Sequence, residues 1–295
     1  MAYQKISFFD AIGANKRNSI LLLLAIFFFF LIVIAAFSYA FDLGGIGIFV
    51  GFFALLFYAL VSYFAGDKAI LSMSNAQPLD EKKFPFVYNV VEGLSIAAGI
   101  PMPKLYIIED PSPNAFAIGR DPKHASIAVT RGLLENMKRE ELEGVLAHEI
   151  SHIANYDVRY ILIAIVFAGA IALIADFTWR SMRFRGGSDR RSGNALFLLI
   201  AVLLIVLAPI FAELIRLALS RQREYLADAN GAKLTRYPAG LANALEKIAK
   251  FNQPVAVATD ATAPLYFANP LPNKFAHFFS THPPAEERVK RLRSM

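Results

Sequence analysis

The run His148-Glu149-Ile150-Ser151-His152 holds the residues best placed for chemistry in this chain. From Glu140 onward, apolar Leu142, Val145, Leu146, Ile150 and Ile153 recur at helical spacing, so the run lies on a helix. Residues four apart on a helix are about 40° apart around its axis, so both imidazoles leave one face and can bind one zinc ion. Glu149 stands beside the water such an ion holds. It can take the water's proton as general base and later give it to a leaving amine. Zinc lowers the pKa of that water to about 7 and polarises a carbonyl, so the implied chemistry is hydrolysis of a peptide bond. The chain has only 5 histidines, so the pattern is not a product of abundance. Two histidines on a core-facing helix also need polar partners, and a metal supplies one.

Two imidazoles leave zinc short of a third protein ligand. There are no cysteines, which excludes a disulfide framework, a thiolate site and a cysteine nucleophile. The third ligand must be a carboxylate or one of His124, His277 and His282. Glu224 and Asp228, four apart in the helical run SRQREYLAD, fit a pair in which Glu224 meets the metal. Asp228, one turn on, would then orient His148 or His152 by accepting a ring N–H. The same spacing also fits a solvated charged face shared with Arg221 and Arg223, and both readings stand at this point.

Other polar residues carry weaker signals. Asn155 caps or braces the metal helix. Asn114, Ala115, Phe116 and Ala117 read as an edge strand able to pair with a substrate backbone, the small alanines leaving room, or equally as an ordinary hairpin. His282 sits in a His-Pro-Pro turn before the last helix, and His124 and His277 read as surface or core residues without a role.

The elements that must position these residues follow from hydropathy. Hydrophobic residues are 56% of 295, charged residues 18%, and mean hydropathy is +0.44. That balance indicates an integral membrane protein carrying a soluble portion. Ser19 to Phe41 is uncharged and long enough to span a bilayer of about 30 Å. The chain then turns at Asp42 to Gly45 and enters a second apolar run, Ile46 to Phe64, which makes a transmembrane hairpin and not a cleaved leader. Prolines and charges from Asp67 mark a soluble segment. It reads as a helix over Lys82 to Ala98, strands over Lys104 to Glu109, Ala115 to Gly119 and Ala125 to Thr130, a short helix over Gly132 to Met137, and then the metal helix. Tyr160 to Phe177 and Ala195 to Ala212 form a second apolar hairpin around an arginine-rich loop. The Glu224 helix should run from Glu213 until Gly231 breaks it. Further helices fit Ala239 to Phe251 and Pro284 to Leu292, with an irregular stretch from Gln253 to Lys274. The domain reading is therefore 1–66 as a transmembrane hairpin, 67–159 as the first part of a catalytic domain, 160–220 as the second hairpin, and 221–295 as the second part. The fold class is mainly α with a small β-sheet (α+β).

AHEISHIANYD at Ala147 to Asp157, SRQREYLAD at Ser220 to Asp228, NAFAIG at Asn114 to Gly119 and THPPAEERVKRL at Thr281 to Leu292 together resemble the HtpX-type membrane metalloproteases, relatives of the zinc CAAX prenyl endopeptidases. The likeness covers nearly the whole chain. It implies a gluzincin-like zinc metallopeptidase domain with transmembrane helices, with His148, His152 and Glu224 as zinc ligands and Glu149 as catalytic base. It also implies an approach of His282 to the active site, in a position to stabilise an oxyanion, and a role in membrane-protein quality control.

The +6 net charge is partly local, in Arg180, Arg183, Arg185, Arg190 and Arg191. It suits anionic lipid headgroups, and no nucleic-acid-reading motif is present. Lys16 and Arg17 precede the first span and the Asp42 loop has no Lys or Arg, so the N-terminus and catalytic domain are expected in the cytoplasm, with the chain multi-pass in the cell (inner) membrane. The arginine loop opposes this if the second hairpin crosses fully. Either that hairpin dips without crossing or it packs within protein. With His152 eight residues before Tyr160 and Glu224 twelve after Ala212, zinc should sit roughly 12–18 Å from the apolar boundary. Three functions compete: an endopeptidase for misfolded or membrane-associated proteins, a non-catalytic zinc-stabilised scaffold, and a processing peptidase for lipidated peptides. The intact Glu149 favours the first.

Overall fold

The computed structural model describes residues 8–40, 42–163, 165, 167, 169, 221–251, 253–259, 262–271 and 283–295. The first apolar run forms helix α1 (Phe8–Ala40) and the second forms α2 (Gly44–Met73). α1 starts well before Ser19, because nothing between Phe8 and Asn18 stops a helix. Asp42 (φ 54°) and Gly44 (φ 56°) take left-handed backbone and reverse the chain between the helices. The pair closes on itself: a Cβ at Gly51 would lie 2.5 Å from Ile34 Cγ2, and Phe27 meets Phe52 edge-on at 6.1 Å. Both helices are long and apolar enough to cross a bilayer, and they leave Phe28, Ile32, Phe49 and Phe57 exposed. Most of the second apolar hairpin, from 170 through the arginine loop to 212, lies outside the described residues.

The soluble elements start and stop where local chemistry dictates. Pro85 opens α3 (Pro85–Ala98), three residues later than the apolar pattern suggests, since proline suits the first helical turn; Gly99 at φ 67° closes it. A four-stranded sheet has the order β1 (Gln77–Pro78), β2 (Lys104–Ile108), β4 (Ala125–Thr130), β3 (Ala115–Gly119). β2 runs parallel to β4 with Leu105 opposite Ile127, and the β3–β4 hairpin is antiparallel with Ala117 opposite Ile127. β3 is therefore an edge strand. Thr130 Oγ1 accepts the Leu133 N–H at 3.2 Å and caps the short α4 (Arg131–Asn136).

Helix α5 (Arg139–Ala154) is the central element. The Lys138 N–H donates to Glu141 Oε2 at 2.7 Å, which fixes its start. Its Leu142, Val145, Leu146, Ile150 and Ile153 pack in one core with Ala115, Ala117, Ile127 and Val129 of the sheet. Helices α6 (Arg221–Thr235) and α7 (Pro238–Lys250) pack against α5, and α8 (Ala285–Leu292) packs on both of them. Glycines allow two close approaches: a Cβ at Gly144 would lie 2.7 Å from Leu241 N, and one at Gly231 would lie 3.1 Å from His148 N. Gly231 therefore does not end α6. The helix runs on to Thr235, because this glycine serves contact with α5 and not termination.

The described residues divide into two compact units. One takes Arg17–Gly66 and the residues from Ile163. The other takes the residues up to Lys16, Asp67–Leu162 and the described residues after Arg216. The result is a mainly helical fold with one small mixed sheet.

Candidate metal centre

α5 sets His148 and His152 on one face, their rings edge to face at 4.6 Å and their Nε2 atoms 3.0 Å apart. α6 brings Glu224 to the same point, with Oε2 3.8 Å from His148 Nε2 and Oε1 3.5 Å from His152 Nε2. All three donor atoms lie within 4.8 Å of one another. A tetrahedral zinc ion with bonds of about 2.0–2.1 Å needs donors about 3.4 Å apart, so this nitrogen and oxygen set fits one. Such an ion would be held by His148, His152 and Glu224, and it would supply an acidified water and a polarised carbonyl. Glu149, buried at 2% exposure, lines the same cleft with Ala117, Val158, Ile161 and Leu265.

Each imidazole is fixed from behind by a different carboxylate. His148 Nδ1 lies 3.0 Å from Asp228 Oδ1, and His152 Nδ1 lies 3.0 Å from Asp157 Oδ2. With Nδ1–H donating to a carboxylate, Nε2 keeps its lone pair for the metal. Asp228 is gripped by Arg288, whose Nε donates to Oδ2 at 2.9 Å and Nη2 to Oδ1 at 2.7 Å. This guanidinium is 2% exposed, lies 5.0 Å over the Phe267 ring, and approaches Glu224 Oε2 at 3.5 Å. Phe267 in turn sits edge-on to His148 at 5.0 Å. On the other side, Asp157 Oδ1 accepts the Asn15 amide at 2.9 Å, and Arg223 Nε comes to 3.7 Å while its guanidinium covers Tyr160.

The two histidines titrate in opposite directions. Burial, then the Arg288 guanidinium, push His148 down to about 4, so it is neutral and ready for a metal. Burial also opposes charge on His152, but the Asp157 hydrogen bond and the Glu224 and Glu149 carboxylates overcome it and raise the ring to about 9. Burial disfavours charge on Asp228 too, yet Arg288 and His148 hold it down to about 2.

Residues 81–295 match the model of Peptidase family M48. The chain belongs to peptidase family M48. It is 50% identical over 290 residues to the "Protease HtpX homolog" of Dictyoglomus thermophilum, covering 98% of this chain and 95% of that relative. The "Protease HtpX homolog" of Caldanaerobacter subterraneus subsp. tengcongensis is 48% identical over 265 residues, 88% of each chain. Among solved structures, the crystal structure of S. mikatae Ste24p matches with a TM-score of 0.51 at 22% identity. That match covers 88% of this chain and 61% of that one, and it bears on fold alone. As an M48 member the chain is a metalloendopeptidase, and its His-His-Glu cluster is suited to a metal ion.

The other expected site residues of this M48 chain are variously placed. Asn155 closes α5, its N–H donating to Ser151 O at 2.9 Å and its carbonyl accepting from Asn15 at 2.9 Å. Its side-chain amide is buried and has no hydrogen-bond partner among the described residues. Asn114 does not line the cleft: its Nδ2 donates to Ala268 O at 2.9 Å and its Oδ1 accepts Ala268 N–H at 3.2 Å. The Ala115 carbonyl accepts Phe267 N–H at 2.8 Å, and Phe116 is buried against Tyr266 at 5.1 Å. Ala117 alone of the four lines the cleft. His124 is exposed and pairs with Asp121 at 2.9 Å. His282 and His277 lie outside the described residues. Residue type and spacing alone assign no role to Asp157, Arg288, Phe267 or Asn15. The first two stand inside the AHEISHIANYD and THPPAEERVKRL runs, and a carboxylate five residues after His152 is a usable signal.

Proposed function

We propose that the chain is a zinc-dependent endopeptidase anchored in a membrane, cutting misfolded or membrane-associated polypeptides. The observation that carries this is the convergence of His148, His152 and Glu224 beside buried Glu149, with each imidazole backed by a carboxylate. Zinc fits better than harder cations because two of the three donors are imidazoles and the spacing suits a tetrahedron. His148, His152 and Glu224 would hold the metal, and Asp228 and Asp157 would orient the imidazoles toward it. Glu149 removes the proton of the attacking water and delivers it to the leaving nitrogen. The substrate lies along the outer edge of β3 from Ala117, since Ala115 is already engaged by Phe267. His282 would donate to the developing oxyanion, the role that the family resemblance implies for it.

Helices α1 and α2 support a bilayer anchor, and the Lys16-Arg17 pair against a loop without Lys or Arg supports a cytoplasmic catalytic unit in the cell membrane. A protease held there has membrane proteins and their misfolded segments as its nearest substrates, which is the quality-control role. The name shared by the curated relatives, "Protease HtpX homolog", agrees with proteolysis.

The experiment is zinc analysis and cleavage of an unfolded reporter polypeptide by the purified full chain and by Glu149→Gln. Cleavage should fall by about 10²–10⁴-fold with zinc content unchanged. Equal cleavage by both would falsify the assignment of the base. Full zinc occupancy in a wild type that cuts no polypeptide would favour the scaffold over the enzyme.

A further inference from the structure

The single side-chain amide of Asn15 makes two hydrogen bonds, to Asn155 O at 2.9 Å and to Asp157 Oδ1 at 2.9 Å. An amide NH₂ has two protons, and both are used. Its targets are 140 and 142 residues away in sequence, and Asn15 is itself buried at 7% exposure. One of those targets closes the metal-bearing helix. The other is the carboxylate whose opposite oxygen accepts from His152. Between them the chain bends sharply, with Tyr156 at φ 63°, a conformation a tyrosine seldom adopts without outside support. Asp157 is 2% exposed, so without Asn15 its Oδ1 would lose a donor that water cannot readily replace.

We propose that Asn15 is a positioning residue of the metal centre, acting through Asp157 on His152. By bridging the carbonyl at the end of α5 and the carboxylate just after it, the amide fixes Asp157 relative to the helix that carries His152. The imidazole is thereby held at the angle at which Nε2 meets His148 and Glu224. The segment before the first apolar span is then part of the catalytic scaffold as well as a lead-in to an anchor. This rests on the metal-site reading above, and loss of zinc binding by the wild type would overturn that reading instead.

The test uses the full chain in detergent with zinc as the probe. Zinc affinity is measured by competition with a chelator, alongside the visible spectrum of the cobalt-substituted protein and separate kcat and KM values. Asn15→Ala should weaken zinc about three- to tenfold, less than loss of a direct imidazole partner, shift the cobalt bands, and lower kcat with KM little changed. In an Asp157→Asn background the same change should alter affinity by less than about twofold, because the route is already cut. Lys16→Ala, which removes the cation 4.3 Å over the Tyr156 ring, should leave zinc affinity and spectrum unchanged. If Asn15→Ala does not fold, Asn15→Ser is measured in its place with the same expectations. Wild-type affinity and spectrum in the Asn15 variant would overturn the proposal. So would an undiminished loss in the Asp157→Asn background, or an equal loss in Lys16→Ala.

Discussion

His148 and His152 stand one turn apart on one helix, each with a carboxylate 3.0 Å behind it, yet their electrical surroundings are opposite. Behind His148 the charge of Asp228 is matched by a bidentate Arg288, whose Nη2 also comes within 3.3 Å of the ring itself. Behind His152 the charge of Asp157 meets a neutral amide, with Arg223 no nearer than 3.7 Å. One ring is held down to about 4 and the other raised to about 9. A carboxylate behind a buried histidine therefore does not by itself set the ring's basicity. Burial, the cation that already neutralises the carboxylate behind His148, and the Glu224 and Glu149 carboxylates around His152 decide it together.

The strongest way to break this contrast is at Arg288. Arg288→Leu leaves Asp228 buried without its cation and should cost about 3–5 kcal/mol of stability in urea titrations. A loss below about 1 kcal/mol would mean that the guanidinium is not what balances Asp228. Next in size are the carboxylates. Asp228→Asn and Asp157→Asn should each weaken metal affinity about 10–100-fold in chelator competition, and an unchanged affinity in either would remove it as an orienting partner.

Proton release sharpens the comparison further. In the metal-free protein His152 holds a proton through the neutral range, and a metal at its Nε2 must displace it. Its raised pKa favours the proton, so affinity is highest above about 9 and falls about tenfold per pH unit below that. Calorimetry in buffers of different ionisation enthalpy should register at least one proton released per zinc at neutral pH, the His152 proton plus a fraction from any metal-bound water. Asp157→Asn should flatten the pH dependence by lowering the His152 pKa, whereas Asp228→Asn should not. The smallest effect belongs to a pair of the same chemistry placed outside. Arg131 donates to Glu109 through Nε at 2.9 Å and Nη2 at 2.6 Å, but the two side chains are 36% and 54% exposed. Arg131→Ala should change stability by no more than about 1 kcal/mol, measured in the same titrations.

What could be read from the residues alone was local. The His148 and His152 face, and the pairing of Glu224 with Asp228, follow from helical spacing within one element. Which imidazole receives Asp228 depends on how α5 crosses α6, and no spacing encodes that crossing. Asp157 is near enough in sequence to suggest itself, but its approach to His152 depends on the left-handed Tyr156, which turns the chain back towards the helix it has just left. Asn15 was hidden by a separation of 142 residues. Arg288 reads as an ordinary basic residue on a short terminal helix, since arginines are seldom fully buried, and only the packed structure shows it enclosed. Strands β3 and β4 were legible to the residue from their alternating small and β-branched pattern and the turn between them. The two-residue β1 leaves no such trace.

The contact between Gly231 and the backbone of His148 works as a spacer block of zero thickness. With no side chain between α6 and α5 at that point, the gap from Glu224 on one helix to His148 and His152 on the other is set by main-chain dimensions alone. Substitutions on the outer faces of either helix leave that gauge untouched. The surface of this enzyme can therefore drift widely while the spacing of Glu224 from the two imidazoles stays constant.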